Sequence, residues 1–465
     1  LALSCCARAA AMSPREALAK RVVASPAPVL APLTRAGTAP FRALCRRHGA
    51  DATMGEMIFA RQLCKGDRRE QARLRRPEAE TLFGAQIATN QISEGVAACV
   101  LAEEAGAAWV DLNCGCPIYE ATRRGLGSAL LRKPAKLARL VGGLVEGSPL
   151  PVSVKIRLSP AGNKDVNALE HIEALAALDH KPAFVTLHAR TATQRYGRAA
   201  TWEDVEAAAR QAGAAFPVLG NGDVLTHFEA RRKRAVAPTA AGLMVGRGAL
   251  INPWLFDDIR NEESWLPTAA ERLEVYYSLV AGYRDTFGDD ERGRKTAWYF
   301  VPFHFNFFHR WRPLSEEHFS AFDVPLIQNG RAVDAALEEI EGPRAALAPL
   351  EQLLRSVWKS TSEWTFQRRV DGVGRPKFDF HTGSGARTPT PARPSPTRSG
   401  RVIASPTPWP QSRRSRRPRT SRPGSSPTPR RGTRTRGIPR RRGSGAAAGG
   451  EIHRVVNIKV MGSCE

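Results

Sequence analysis

Residues 113–117, with the sequence NCGCP, place two thiols one residue apart, between a polar residue and a turn-forming proline. A structural zinc site needs further Cys or His ligands at a suitable spacing, and no second pair of this kind follows, so metal binding is disfavoured. A plain structural turn is also compatible with the motif. The interpretation we favour makes Cys116 a proton donor, because a thiol with an ordinary pKa of about 8.5 keeps its proton at pH 7.

Polar residues within or at the ends of other apolar runs are candidate ligands of an anionic group. Lys155 lies between Val154 and Ile156, and strand alternation would turn its side chain into the protein. A buried ammonium needs an anionic partner. A reduced flavin, negative at its N1 and O2 edge, would be such a partner, and Gln86 would hydrogen-bond the same edge. His188 fits three roles: a phosphate or flavin ligand, a second acid, or an ordinary structural histidine.

Glycine-containing turns follow two more apolar runs and indicate a phosphate site. Asn221, Gly222 and Asp223 follow the first run, and Gly246 and Arg247 follow the second. Exposed backbone N–H groups in such turns bind phosphate, and Arg247 would add a full charge. Ordinary strand-to-helix loops have the same composition, so these turns alone do not decide between the two interpretations.

The runs that carry these polar residues recur in a regular order. Between residues 25 and 260, apolar runs alternate with amphipathic segments rich in Ala, Leu and Glu. Short parallel strands need helical crossovers, so this alternation predicts a (β/α)₈ TIM barrel, which gathers the strand ends at one mouth. A doubly wound sheet would carry a Gly-rich fingerprint after its first strand, where this chain has APLTRAG. The expected strands are residues 28–32, 52–55, 82–87, 109–113, 151–157, 184–188, 217–220 and 242–246, and the expected helices are residues 39–48, 94–105, 136–145, 168–178, 202–212 and 228–234.

After residue 262 the pattern changes to helices without intervening strands. Residues 269–287, 293–311 and 332–354 predict a smaller helical domain over residues 263–365. The middle helix is rich in aromatic and basic residues. Its aromatic residues fit a helical core kinked at Pro302, whereas its Arg and His residues on the solvent face fit contacts with nucleic acid.

The net charge of +24 is unevenly distributed along the 465 residues. Residues 387–442 contain 17 arginines and no Lys, Asp or Glu, so the rest of the chain carries only +7. This Arg/Pro/Ser-rich composition predicts a disordered tail over residues 383–450, either an arm for nucleic acid or a segment without a role. Residues 1–24 are expected to be a disordered leader or the edge of a fragment.

The overall composition excludes several classes of protein. With 42% hydrophobic and 25% charged residues, the chain is neither wholly disordered nor collagen-like. Its eight cysteines lack the dense spacing of a disulfide scaffold, which favours a reducing compartment. No stretch approaches the ~20 consecutive apolar residues of a membrane-crossing helix, so we expect no membrane partner. We expect a monomer in the cytoplasm or the nucleus, with an organelle left open.

Taken together, the strand ends resemble those of the tRNA-dihydrouridine synthase family, and above all its eukaryotic branch that modifies position 47. The family motifs are NCGCP at 113–117, VKIR at 154–157, TLHAR at 186–190, GNGD at 220–223 and GRGAL at 246–250. The motifs typical of the branch are APLT at 31–34, PFR at 40–42, GAD at 49–51, GEM at 55–57 and QRY at 194–196. The resemblance is strong over residues 29–260 and looser as far as residue 354.

This resemblance implies an FMN-binding barrel over residues 25–262, followed by a helical tRNA-binding domain. It implies that NADPH, or NADH, reduces FMN, and that reduced FMN gives a hydride to C6 of an extruded uridine while Cys116 protonates C5. Asn113, Arg157 and Arg190 would hold the target uracil. FMN would contact Pro32, Leu33, Thr34, Gln86, Lys155, His188, Asn221, Gly222, Asp223, Gly246 and Arg247.

The implied partners are tRNA and NAD(P)H, and no metal site is expected. The eukaryotic branch usually carries Cys/His zinc fingers before the barrel, and this sequence has none. We therefore expect either a truncated chain or tRNA binding by the helical domain alone.

Two other functions stay open from the sequence. One is an FMN barrel that acts on a small metabolite such as dihydroorotate, which gives no reason for the aromatic and basic helical segment. The other is a non-catalytic RNA-binding protein that relies on its Arg-rich tail, which gives no reason for polar groups at seven strand ends. A flavin absorption spectrum and a tRNA reduction assay distinguish the three functions.

Overall fold

A computed structural model describes residues 12–25, 27–160, 167–194, 196–321, 324–328, 367–370 and 376–379. All of these residues belong to one compact unit. The predicted tail over residues 383–450 and the predicted helix over residues 332–354 lie outside the described residues.

Eight parallel strands close into a barrel, which confirms the predicted TIM-barrel fold. Around the barrel the hydrogen-bonded order is β2-β1-β9-β8-β7-β6-β5-β4, and β2 pairs again with β4 to close it. Each of the eight predicted runs overlaps one of these strands, and the ends differ by two residues at most. The strands of this sheet are β1 (Val29–Leu30), β2 (Thr53–Met54), β3 (Ile58–Phe59), β4 (Phe83–Ala88), β5 (Trp109–Asn113), β6 (Val152–Arg157), β7 (Val185–His188), β8 (Val218–Asn221) and β9 (Gly242–Val245).

The sequence does not predict β3, which lies outside the closed barrel. Its residues pair with the carboxyl end of β4, in the register Ile58 with Ile87 and Phe59 with Ala88. A strand of two residues is too short to give a periodic signal, so sequence patterning cannot detect it. By contrast, β4, β5 and β6 are buried along their whole length and therefore give the continuous apolar runs that are typical of parallel sheets.

All six predicted barrel helices are present, and their ends differ from the predicted ones by two residues at most. One boundary has a clear local cause: Asn167 accepts hydrogen bonds from the backbone N–H groups of Leu169 and Glu170, and thereby starts α8. The helices of this part are α1 (Pro14–Ala24), α2 (Ala39–Arg47), α3 (Ala60–Cys64), α4 (Arg68–Arg73), α5 (Ile92–Glu104), α6 (Tyr119–Thr122), α7 (Pro134–Gly147), α8 (Ala168–Ala176), α9 (Trp202–Ala212), α10 (His227–Val236), α11 (Arg247–Ile251) and α12 (Leu255–Asn261), with a 3-10 segment at Gly127–Arg132.

The expectation of a disordered leader over residues 1–24 is wrong for residues 14–24, which form α1. Ser13 and Glu16 form a capping box at the start of this helix. Leu18 and Val22 are buried in a cluster with Trp109 and other residues at the amino-terminal end of the barrel. The helix therefore covers the end of the barrel opposite to the mouth. The sequence Ser13-Pro-Arg-Glu16 is the signal that could have predicted it.

Two long helices follow the barrel, as the sequence predicts, and they pack antiparallel to each other. They are α13 (Ala269–Phe287), whose bounds agree with the prediction, and α14 (Glu291–Phe308), followed by the short α15 (Glu316–Ser320). Strands β10 (Gln367–Val370) and β11 (Pro376–Asp379) form a separate antiparallel pair. Within the described part of the chain, no helix combines the length and apolar character needed to cross a membrane.

The α13–α14 pair shares a core with the barrel. The ring of Trp254, which precedes α12, lies 6.1 Å from that of Phe308 in α14. The Tyr283 hydroxyl of α13 forms hydrogen bonds with Thr38, at the start of α2, and with His304 of α14, at 2.7 and 2.9 Å. Most aromatic residues of α14 thus pack inward, as the interpretation of a helical core predicts.

Candidate active site

The predicted strand-end residues meet at the carboxyl end of the barrel. Lys155 in β6 donates a hydrogen bond from Nζ to Oδ1 of Asn221 at the end of β8, at 2.8 Å. Asn221 in turn donates from Nδ2 to the carbonyl of Met244 at 2.8 Å. Both side chains are almost completely buried. The ammonium of Lys155 therefore points into the barrel, as strand alternation predicts.

The Cys116 loop is held by side chains from two neighbouring strand ends. Asn113 Oδ1 accepts the backbone N–H groups of Gly115 and Cys116, at 3.2 and 2.9 Å. Arg157 Nε donates to the carbonyl of Gly115 at 2.7 Å. Ser128 N–H donates to the carbonyl of Cys116 at 2.9 Å. These bonds hold the loop backbone on both sides of the thiol.

The two thiols of the motif lie in different environments. Cys114 is completely buried and belongs to the main apolar core. Burial raises the pKa of the Cys114 thiol well above its usual range. Cys116 is 3% exposed and lies outside that apolar cluster, in the loop above the strand end. Of the two, Cys116 is therefore the thiol placed to act at the mouth.

Asn113 and Arg157, which the resemblance assigns to the target base, act in the structure on the Cys116 loop. Asn113 also donates from Nδ2 to Gln86 Oε1 at 2.8 Å, so both ends of its amide are engaged. Arg157 is 2% exposed and makes a second, longer contact to the carbonyl of Thr191. Their contact with a uracil stays a prediction, and their positioning of the loop is an additional role that the sequence does not predict.

His188 is a buried histidine whose ring nitrogens have no hydrogen-bond partner. It is 1% exposed, and both Nδ1 and Nε2 are unsatisfied. Burial is the main cause that lowers the pKa of His188 well below its usual range, so the ring is neutral near pH 7. Four cations act on it as well: Arg157, Lys155, Arg190 and Arg247. A neutral ring with unused nitrogens among four positive charges has the chemistry that suits an anionic group able to form hydrogen bonds.

Arg190, which the resemblance assigns to the substrate, forms a buried ion pair. Its side chain is 0% exposed, and its Nη2 donates to both carboxylate oxygens of Asp223, at 2.6 and 2.5 Å. Asp223, predicted to contact the cofactor, also accepts hydrogen bonds from Ala200 N–H at 2.8 Å and Arg247 Nη2 at 3.0 Å. The buried Arg190–Asp223 pair therefore positions Arg247, and the contacts of Arg190 with substrate and of Asp223 with the cofactor stay predictions. The pair forms because adjacent strand ends bring opposite charges together in a buried site.

The predicted phosphate turns lie side by side. Asn221, Gly222, Gly246 and Arg247 line one small cavity at the ends of β8 and β9. Gly222 has a φ of +132°, which favours glycine, and a Cβ there would clash with Ala200.

The residues after β1 complete the predicted set. Pro32 and Leu33 are buried, and the Leu33 carbonyl accepts a hydrogen bond from Gly37 N–H at 2.6 Å, which closes a tight turn. Thr34 is partly exposed and lines the large groove described below. All the predicted cofactor ligands therefore lie at, or next to, the barrel mouth.

With this geometry in view, comparison with known proteins identifies the family. A family model described as dihydrouridine synthase (Dus) matches residues 29–330 of the chain. The chain belongs to the dihydrouridine synthase family.

Curated relatives agree with this family. The chain is 35% identical over 266 residues to "tRNA-dihydrouridine(47) synthase [NAD(P)(+)]-like" of Homo sapiens, which covers 57% of this chain and 40% of the relative. It is 34% identical over 277 residues to the protein of the same name in Arabidopsis thaliana, which covers 58% and 39%. It is 35% identical over 300 residues to "tRNA-dihydrouridine(47) synthase [NAD(P)(+)]" of Coprinopsis cinerea, which covers 61% and 44%. The chain thus spans about two fifths of the length of these relatives.

A basic groove of about 1710 Å³ adjoins the mouth of the barrel. It runs between α4 and the turn after β1 on one side and α14 on the other. Tyr299 in its wall is 55% exposed, and the guanidinium of Arg35 lies 4.8 Å from the centre of its ring. The acidic residues that line the groove are Glu56 and Asp290, and the basic ones are Arg35, Arg68, Arg69, Arg73, Arg75, Arg292 and Lys295.

Sequence reasoning missed the contribution of α4 to this groove and missed Asp111 in the barrel interior. Arg68 and Arg69 stand in a short helix that gives little periodic signal. Asp111 is a charged residue inside an apolar run, two positions before Asn113 and therefore on the same face of β5. That placement is a signal the sequence contains. Among the described residues, no cluster of His, Cys, Asp and Glu side chains has the arrangement of a metal site.

Proposed function

We propose that this protein is an FMN-dependent tRNA-dihydrouridine synthase, which uses NAD(P)H to reduce a uridine of tRNA to 5,6-dihydrouridine. The single observation that carries the proposal is His188, with two unsatisfied ring nitrogens among four cations, at the mouth of a barrel that also presents Cys116. The names of the relatives support both tRNA and NAD(P)H, and they support position 47 as the modified uridine.

The residues at the mouth fit FMN. The orphaned nitrogens of His188 and the charge of Arg247 suit the phosphate and ribityl hydroxyl groups, and the ammonium of Lys155 with the amide of Gln86 suits the polar edge of the flavin ring. Bound FMN supplies the hydride that the uracil ring accepts. Lys155 is also next to a negative charge, since Asp111 acts on it electrostatically, so its charge is partly balanced before any ligand binds.

Cys116 supplies the proton. When C6 of a uracil accepts a hydride, negative charge develops towards C5 and O4, and an acid within hydrogen-bond reach of C5 completes the reduction. No Asp or Glu occurs in residues 113–117, and Cys114 lies in the core, so Cys116 is the candidate acid in this motif. Asn113 and Arg157 fix the backbone of its loop. The entropy cost of positioning the thiol is therefore met on folding and not during the reaction.

The basic groove is our proposed tRNA surface. Seven cations against two acids create a positive potential that attracts the phosphate backbone, and the exposed ring of Tyr299 offers a surface on which a base can stack. The groove reaches Thr34 at the end of β1, so RNA bound in it lies next to the barrel mouth.

The test is a pair of measurements on purified protein. We expect a yellow protein that binds FMN noncovalently and forms dihydrouridine at position 47 of tRNA when NADPH is added, as detected by mass spectrometry of nuclease fragments. Protein that is colourless and cannot be reconstituted with FMN refutes the proposal. Protein that binds FMN but leaves tRNA unchanged, while reducing or oxidising a small pyrimidine such as dihydroorotate, supports the small-metabolite alternative instead.

A further inference from the structure

A chain of hydrogen bonds at the barrel mouth runs in one direction and ends at a buried carboxylate. Cys116 N–H donates to Asn113 Oδ1 at 2.9 Å, and Asn113 Nδ2 donates to Gln86 Oε1 at 2.8 Å. Gln86 Nε2 donates to Asp111 Oδ2 at 2.8 Å. The Ser153 hydroxyl donates to the other oxygen of Asp111 at 2.6 Å. Every donor in the chain therefore points towards Asp111, which is completely buried.

The direction of this chain depends on its last acceptor. A primary amide both donates and accepts, so the side chains of Gln86 and Asn113 each allow two orientations, whereas a carboxylate can only accept. Gln86 must turn its NH₂ group to Asp111, and its oxygen then faces Asn113. Asn113 must in turn donate to Gln86, and its oxygen then faces the backbone N–H of Cys116. Reversal of one link would place two donors or two acceptors together in a buried site.

We propose that Asp111 is a positioning residue: its carboxylate sets the orientation of the Gln86 and Asn113 amides and thereby fixes the Cys116 loop at the mouth. That the fixed loop serves proton transfer rests on the proposed function. The hydrogen-bond chain and its direction do not depend on it. Burial raises the pKa of Asp111 to about 6, and hydrogen bonds from Ser153 and Gln86 with the charge of Lys155 oppose that rise. Above pH 7 the group is therefore mainly an ionised acceptor.

A pair of substitutions tests the directional role. In Asp111→Asn the introduced amide can still offer its oxygen to Gln86, because the Ser153 hydroxyl can rotate and accept from the introduced NH₂ group. Ser153→Ala alone removes one bond to the carboxylate and leaves the direction of the chain unchanged. The double variant leaves the introduced NH₂ group without the Ser153 acceptor, so the orientation of the chain is no longer fixed. The effect of the two changes together should therefore exceed the product of their separate effects.

The readout is the rate at which iodoacetamide alkylates Cys116, measured by mass spectrometry with exposed Cys64 as the internal reference. Cys116 is 3% exposed, so a displaced loop makes its thiol more accessible. We expect each single variant to be labelled at Cys116 within about threefold of the wild-type rate, and the double variant at least tenfold faster. Labelling of Cys64 should not change, and thermal melting checks that each variant is folded.

Gln86→Met provides a second route, because it cuts the chain between Asp111 and Asn113 without adding a charge. It should reproduce the faster labelling of Cys116, and it keeps the proposal testable if the double variant does not fold. A double variant, or a Gln86→Met variant, labelled at the wild-type rate overturns the proposal. Alkylation does not require turnover, so a protein that shows the expected labelling but never reduces tRNA refutes the proposed function and leaves the positioning role intact.

Discussion

The ion pair between Arg190 and Asp223 gives a prediction whose size follows from the structure. Both side chains are 0% exposed, and Asp223 also accepts from Arg247 and from Ala200 N–H. Asp223→Asn keeps the shape and one acceptor but removes the charge, which leaves the guanidinium of Arg190 buried without a counter-ion. Breaking a buried pair in this way costs about 3–5 kcal/mol. For a domain of this size, 1 kcal/mol corresponds to roughly 2–4 °C, so we expect a loss of about 6–20 °C in melting temperature.

The assay is thermal unfolding of FMN-free protein at pH 7.5, followed by circular dichroism. Glu94→Gln is the matched control, because it removes the carboxylate of the Arg61–Glu94 pair, in which Arg61 is 67% exposed. Solvent screens that pair, so its loss should change the melting temperature far less than Asp223→Asn does. A melting temperature for Asp223→Asn within ~2 °C of the control would refute the reasoning, since it would show that burial adds nothing to the ion pair.

Three further outcomes test the site and the groove. Cys116→Ala should keep FMN, accept electrons from NADPH and bind tRNA, while its rate of dihydrouridine formation falls by ~10² to 10⁴; full turnover would remove the proton-donor assignment. Lys155→Met should weaken FMN retention, measured by flavin fluorescence after gel filtration, because it removes a buried charge at the polar edge of the site; unchanged retention would contradict that placement. Arg68→Glu combined with Arg69→Glu should raise KM for tRNA. It should also make the slope of log binding constant against log salt concentration shallower by about 1.4–1.8, the value for two lost phosphate contacts. Lys136→Glu on α7 is the control, and it should change neither quantity.

Much of the fold could be predicted because its periodic signals are strong. The strands β4, β5 and β6 are buried on both faces and so give continuous apolar runs, and α9 has an amphipathic pattern bounded by Trp202 and Gly213. The strand β3 and the helix α4 could not be predicted in the same way, because two to six residues do not complete a pattern. The helix α1 could have been predicted from its capping box. The composition of residues 1–24 is typical of a leader and favoured the other interpretation.

Only part of the candidate site could be predicted from the sequence. The sequence predicts which residues end the strands, and the barrel brings them to one mouth. It does not predict which of them face a ligand and which face one another. Arg190 forms an ion pair with Asp223, and Asn113 donates to Gln86, because the hydrogen-bond partners of these polar groups depend on distances across neighbouring strands. Such partners have no fixed spacing along the chain, so a linear pattern cannot reveal them.

The hydroxyl of Tyr283 joins Thr38, at the edge of the barrel, to His304 in the second long helix. Widening the basic groove by swinging the helices away would break both bonds and expose aromatic rings that now lie in a common core. Extruding one nucleotide from an RNA loop, in contrast, costs only a few kcal/mol of lost stacking. Under the proposed function, we therefore expect the substrate to be the component that changes shape: these contacts favour a cleft of one width, and the enzyme would select RNA loops that release a base at low cost.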